Sequence, residues 1–138
     1  MGLVLHYLFI DSQEQLWIGL NSGLYCCLLG ETPQLIDSDC HVTYITELPQ
    51  SMAIGTTCDL RIYSKDRNLL QKLCPDTYVQ SLLPLPNKEI LLIGTFNCGV
   101  KSISLSSWQE QPVKNGSLPH TPIRSMIEMT PVSYTHLT

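Results

Sequence analysis

The sequence predicts an all-β fold built from a four-strand unit used three times, and three observations predict it. A short apolar segment containing Ile-Gly returns along the chain, as Leu16-Trp17-Ile18-Gly19-Leu20, Met52-Ala53-Ile54-Gly55-Thr56 and Leu91-Leu92-Ile93-Gly94-Thr95. Its glycines are spaced by 36 and then 39 residues, close to the roughly 40 residues of one four-stranded propeller blade. The chain is 43% apolar and only 14% charged, which suits strands covered on both faces better than a sheet wetted on one side. Nine prolines and many β-branched runs also argue against a helical repeat, which needs apolar residues at i, i+3, i+4 and i+7.

Each element of the unit has a local justification. The first strand is β-rich: Tyr7-Leu8-Phe9-Ile10, Val42-Thr43-Tyr44-Ile45 and Tyr78-Val79-Gln80-Ser81-Leu82. A polar or proline-bearing turn follows, at Asp11 to Glu14, Leu48 to Gln50 and Pro84 to Lys88. The Ile-Gly segment is the second strand, almost continuously apolar because neighbouring blades would cover both its faces. Its glycine is expected to end or bend the strand where backbones approach closely. The third strand is Leu24 to Leu28, Leu60 to Tyr63 and Val100 to Leu105. Arg61 and Tyr63 alternate with Leu60 and Ile62, a pattern expected nearer the outside. Weaker fourth segments close the units at Gln34 to Ile36, Leu69 to Leu73 and Trp108 to Val113. The one candidate helix, Asp66 to Cys74, is short.

These units give blades over residues 5–37, 41–74 and 77–114, and the start of a next blade over 122–128. Residues 1–130 thus read as an incomplete β-propeller of about three four-stranded antiparallel blades plus the first strand of a fourth. Closure takes four blades or more, so the chain reads as a fragment completed by further blades of a parent protein. Residues 131–138 resemble translated adapter sequence and read as a non-native tail.

Charge and hydropathy exclude several functions. The formal net charge is -4 and the Lys and Arg residues are scattered, so no basic stripe exists to displace counterions from nucleic acid or to hold an anionic membrane. No run approaches the roughly 18 apolar residues of a membrane-spanning helix. Leu3 to Ile10 lacks the flanks of a signal peptide. Six cysteines allow fifteen full pairings. None forms a C-x-x-C pair, so zinc-ribbon and thioredoxin-type sites are not indicated, and free, mostly buried thiols are expected.

The stretch from Ile10 to Tyr25 resembles the two-component regulator propeller repeat, whose pattern runs roughly I-x-E/D-D-x-x-G-x-L-W-I-G-T-x-x-G-L-Y. The first unit keeps Asp11, Leu16, Trp17, Ile18, Gly19, Gly23, Leu24 and Tyr25. It departs at Glu14 or Gln15, where the family usually has glycine, and at Leu20, where it has threonine. The second unit keeps Ile54, Gly55, Thr56 and Leu60, and the third Ile93, Gly94, Thr95 and Gly99. The resemblance implies the extracytoplasmic sensor region of a hybrid histidine kinase, periplasmic, with oligosaccharides as signals. The chain itself carries no phosphoacceptor-helix pattern, nucleotide box or receiver aspartate cluster, so catalysis is not expected in it.

Candidate chemistry is sparse. Trp17 could stack on a sugar, but its second-strand position predicts core packing. Asp37 and Asp39 could bind calcium or act as paired carboxylates; flanked by Ser38, Cys40 and His41, they fit a solvated inter-blade loop. His6, His41 and His120 read as too dispersed for a ligand set. Asp11 to Trp17 is similar to the aspartate-box turn of sialidases, without its serine and glycine. Asn115-Gly116-Ser117 matches a glycosylation acceptor but reads first as a turn. No cofactor or metal is implied.

If a ligand binds, the loops joining strands two and three and those linking blades share one rim. That rim would carry Asn21, Ser22, Asp39, His41, Thr57, Asp59, Asp76, Phe96, Asn97 and His120. The leading expectation is a ligand-sensing piece of a sensory propeller that takes a small molecule or oligosaccharide. The alternative is an intracellular, cytoplasmic propeller scaffold for protein partners, which six cysteines would suit better.

Overall fold

The computed structural model describes residues 4–111. They form three four-stranded antiparallel sheets, each a simple meander. Blade 1 is β1 Leu5–Ile10, β2 Gln15–Leu20, β3 Gly23–Leu28 and β4 Gln34–Asp37. Blade 2 is β5 Val42–Glu47, β6 Ser51–Thr56, β7 Leu60–Ser64 and β8 Leu69–Leu73. Blade 3 is β9 Val79–Leu85, β10 Ile90–Thr95, β11 Val100–Ser104 and β12 Glu110–Gln111. A 3₁₀ turn, Pro86–Lys88, joins β9 to β10. The fold is a partial, propeller-like all-β array. The expected strand over 122–128 and the tail over 131–138 lie outside the described residues.

Two apolar layers hold the blades face to face. Between blades 1 and 2 lie Trp17, Leu24, Cys26, Val42, Ile45, Met52, Ile54 and Tyr63. Between blades 2 and 3 lie Ala53, Leu60, Ile62, Val79, Leu82, Leu91, Ile93 and Ile103. Strand β6 supplies both: Met52 and Ile54 point one way, Ala53 the other, as the two-residue period of a strand requires. All six of its residues are buried.

The repeated glycine has a specific cause. Gly19 and Gly55 lie within their strands, not at strand ends as expected. A Cβ on Gly19 would meet Val42 Cγ1 at 2.4 Å, and one on Gly55 would meet Val79 Cγ1 at 2.5 Å. Val42 and Val79 open β5 and β9, so the first strand of each following blade seats its valine on the glycine of the blade before. The close approach expected at this residue is thus made with the side chain of the next blade's valine.

The fourth strand expected over Leu69 to Leu73 forms as β8, and the short helix candidate over 66–74 holds that strand instead. One expectation changes. Strand β7 is not an outer, half-wet strand: Arg61 and Tyr63 are buried along with Leu60 and Ile62. Both polar side chains stay buried because carboxylates of blade 1 and of the β6–β7 turn satisfy them. Asp37 Oδ2 accepts 2.6 Å and 2.7 Å hydrogen bonds from Arg61 Nη1 and Tyr63 Oη, and Asp59 Oδ1 accepts one of 3.1 Å from Arg61 Nε. A buried cation is tolerated only with such partners.

Candidate ligand cleft on the first-strand rim

The site starts from a flaw in the strand ladder that all three blades share. Strands β1, β5 and β9 each carry one extra residue opposite the Ile-Gly strand. Pairing steps from Leu5 to Tyr7, from Val42 to Tyr44, and from Val79 to Ser81, where the partners are Leu20 and Gly19, Thr56 and Gly55, and Thr95 and Gly94. The skipped residues are His6, Thr43 and Gln80. Such a bulge turns a side chain out of the regular alternation and aims it away from the sheet face.

Hairpin amides fix each bulge from its far side. The residue after each second strand donates to the carbonyl just before the first strand: Asn21 to Val4 at 3.0 Å, Thr57 to His41 at 3.2 Å, and Phe96 to Tyr78 at 2.9 Å. Thr43 Oγ1 also donates to the Val79 carbonyl at 2.6 Å, tying blade 2 to blade 3 at the same level. The result is an open cleft of about 260 Å³ lined by His6, His41, Thr43, Tyr78 and Gln80. All three blades contribute to it.

The cleft is polar and has an aromatic shoulder. Rings of His6 and His41 stand 4.5 Å apart, centre to centre, tilted by 51°. Partial burial, and secondarily the neighbouring His6, push the His41 imidazole below its ordinary pKa. Gln80 Oε1 is buried with no hydrogen-bond partner among the described residues, an acceptor left for a ligand or water. Beside the cleft, Tyr78 and Phe96 stack at 5.4 Å and are 37% and 48% exposed. An exposed aromatic pair offers an apolar platform next to hydrogen-bonding groups.

Among the residues singled out from the sequence, His41 lines the cleft and Phe96 flanks it. Asn21 and Asn97 lie on the same rim but act on the backbone: Asn21 Oδ1 accepts from Val4 N at 3.1 Å and Asn97 Oδ1 from Tyr78 N at 3.3 Å. Asp76 gives its carbonyl to Asn97 Nδ2 at 3.4 Å. Asp59 is engaged with Arg61 and Thr56, and the Asp39 carbonyl accepts from Arg61 Nη2 at 3.3 Å. Thr57 is held through its amide, and Ser22 is exposed in its turn. His120 and Asn115-Gly116-Ser117 lie outside the described residues.

Two earlier readings change. His6 and His41 are not dispersed; blade packing brings them into ring contact across 35 residues of chain. Asp37 is not in a solvated loop but at the end of β4, ion-paired to Arg61. Burial would raise the Asp37 carboxyl, yet hydrogen bonds from Tyr63 and the Asp39 amide, with the Arg61 charge, hold it below the usual carboxylate range. Thr43, Tyr78 and Gln80 were not singled out. They lie 12, 16 and 14 residues before the glycine of their own unit, against 13 for His6, so the repeat spacing does not align them and only the strand pairing shows their equivalence.

Elsewhere, the side chains carry structure. Trp17 is fully buried and its Nε1 donates to Asp11 Oδ2 at 2.9 Å. Asp11 Oδ1 takes the amides of Gln13 and Gln15, both at 2.9 Å, closing the β1–β2 turn. All six cysteines are free; Cys26, Cys27, Cys40 and Cys74 are buried, Cys58 and Cys98 exposed. Burial raises the thiols of Cys26, Cys40 and Cys74 to about 11, so they are inert at neutral pH. On the opposite rim a groove of about 600 Å³ lies between Pro49, Gln50, Leu70, Glu89 and Trp108. No group of three or more metal-ligating side chains occurs among the described residues, and no helix among them is long and apolar enough to cross a membrane.

Comparison with known proteins bears on the fold. No protein-family model matches the chain, and no curated protein matches it. Solved structures do match. The extracellular domain assigned to the one-component system BT4673 of B. thetaiotaomicron superposes with a TM-score of 0.70 at 19% identity, over 89% of this chain and 18% of that one. The extracellular domain assigned to the hybrid two-component system BT3049 of the same organism gives 0.70 at 21% identity, over 89% and 19%. Sqt1 of Saccharomyces cerevisiae gives 0.72 at 15% identity, over 91% and 38%. The chain therefore spans less than a fifth of either bacterial domain and under two-fifths of the yeast protein. At these identities the likeness is one of fold.

Proposed function

We propose that this chain is the ligand-facing part of a sensory propeller of the two-component type, extracytoplasmic, and that its rim cleft takes a small polar ligand of the oligosaccharide class. One observation carries the reading: three successive blades each turn a bulged polar residue, His6, Thr43 or Gln80, into one cleft beside an exposed aromatic pair. A pyranose offers what such a cleft takes, hydroxyls for the polar side and an apolar ring face for Tyr78 and Phe96. The repeat resemblance and the two bacterial neighbours favour the sensory role. In a parent protein with further blades and a kinase, the ligand would signal by binding one arrangement of the propeller more tightly than another.

Titration of the full-length protein with an oligosaccharide panel tests the reading. Saturable binding that weakens by about tenfold or more in Gln80→Ala and Tyr78→Ala is expected. Binding indifferent to both substitutions would remove the cleft from the function.

The free cysteines favour a second reading, an intracellular scaffold that binds proteins through the rim. An oxidising compartment tends to pair accessible thiols, and Cys58 and Cys98 are exposed. Thiol counting on protein taken from its native compartment under denaturing, non-reducing conditions decides between the two. Six free thiols together with no oligosaccharide binding would favour the scaffold.

A further inference from the structure

We propose that His6 and His41 form a two-imidazole site for one divalent cation of the Ni²⁺ and Cu²⁺ class. Ring separation is the first ground. An imidazole nitrogen lies about 1.1 Å from its ring centre and a metal–nitrogen bond is about 2.0–2.1 Å, so each ring centre would stand roughly 3.2 Å from a shared ion. Two such arms at a right angle put the ring centres about 4.5 Å apart, and at the tetrahedral angle about 5.2 Å. The observed separation is 4.5 Å, the value for neighbouring positions of a square or octahedral ion. Imidazole suits Ni²⁺ and Cu²⁺, and their tetragonal preference separates them from tetrahedral Zn²⁺.

Surroundings give the second ground. Both rings line the same open cleft, so an ion reaches them from solvent and keeps water on its other positions. No carboxylate lines the cleft, so the ion's charge is not neutralised by the protein and binding is readily reversible.

The pair arises from two separate blades. His6 is the bulged residue of β1, and His41 precedes β5 with its carbonyl held by the Thr57 amide. A cation joining them would cross-link blade 1 to blade 2 at the rim. This site does not depend on the oligosaccharide reading, and each can fail alone.

Calorimetric titration of the full chain with Ni²⁺ at pH 7.5, in a Cys58→Ser/Cys98→Ser background under reductant, tests the proposal. Serine at these positions removes the exposed thiols as competing ligands. One saturable site is expected, weakened about tenfold or more in His6→Gln and in His41→Gln. Ni²⁺ is also expected to raise the melting temperature of the parent and of neither cleft-histidine variant. If those variants fail to fold, Ni²⁺ protection of His6 and His41 against carbethoxylation in the unsubstituted chain, read by peptide mass, replaces them. Absent saturable binding, affinity unchanged in both cleft-histidine variants, or no protection of these two rings would overturn the site.

Discussion

Ile18 and Ile54 occupy the same place in the repeat, one residue before the packed glycine, yet they live in different surroundings. Ile54 is fully buried against blade 1, while Ile18 is half-buried on the face of blade 1 that looks away from blade 2. That face also carries Leu5, Leu8 and Ile10, all about half exposed. Blade 2 is covered twice and blade 1 once. Burial in this fold is therefore a property of the stack, and the strand pattern records what a blade expects of its neighbours.

The comparison can be broken or sharpened in four ways. The largest effect is expected at Trp17, which belongs to the covered face of blade 1. Trp17→Ala removes the largest buried side chain and leaves Asp11 Oδ2 one donor short, so a loss of about 3–5 kcal/mol is expected from urea unfolding. A loss near that at a surface site would instead mean that blade 1 is barely packed on blade 2.

Ile54→Ala against Ile18→Ala tests the comparison directly. About 2–5 kcal/mol is expected for Ile54 and about 1 kcal/mol for Ile18, measured by the same unfolding midpoints. Equal losses in the two variants would mean that the open face of blade 1 is covered in solution.

Next comes the glycine seat. Gly55→Ala is expected to cost about 1–3 kcal/mol by overpacking against Val79. Adding Val79→Ala should recover part of the loss, a coupling that a double-mutant cycle measures. Simple additivity would show that the strand accommodates a methyl group without its valine.

The smallest effect concerns acid. The interface of blades 1 and 2 carries the Asp37–Arg61 pair, whereas the layer between blades 2 and 3 is apolar. The folded Asp37 carboxyl sits below its ordinary value, so its stabilisation is complete above the unfolded carboxylate range of about 3.9 and is lost as pH falls through it toward the lower folded value. Stability followed from pH 6 to pH 2.5 should fall less steeply in Asp37→Asn than in the parent. Parallel curves would assign the acid response to other carboxylates.

Much of this architecture was legible in the residues. The apolar run at Met52 to Thr56 foretold a strand hidden on both faces, and the Ile-Gly spacing foretold the blade period, because both are local patterns that packing must respect. The buried Arg61 was not legible. Alternation with Leu60 and Ile62 looks the same whether the polar face meets water or an aspartate from another blade. The cleft was missed for a related reason. A bulge is made by two strands together, so His6, Thr43 and Gln80 carry no individual mark, and the His6–His41 contact exists only after two sheets stack.

The valine seated on the preceding glycine gives the stack a direction. At both joints among the described residues, the valine that opens the first strand of one blade enters the socket left by the glycine of the blade before it. Blades can thus be added in sequence order with no new kind of contact. Turning a blade over would set socket against socket and leave its valine unseated. In such an array close packing at each joint fixes which way every unit faces.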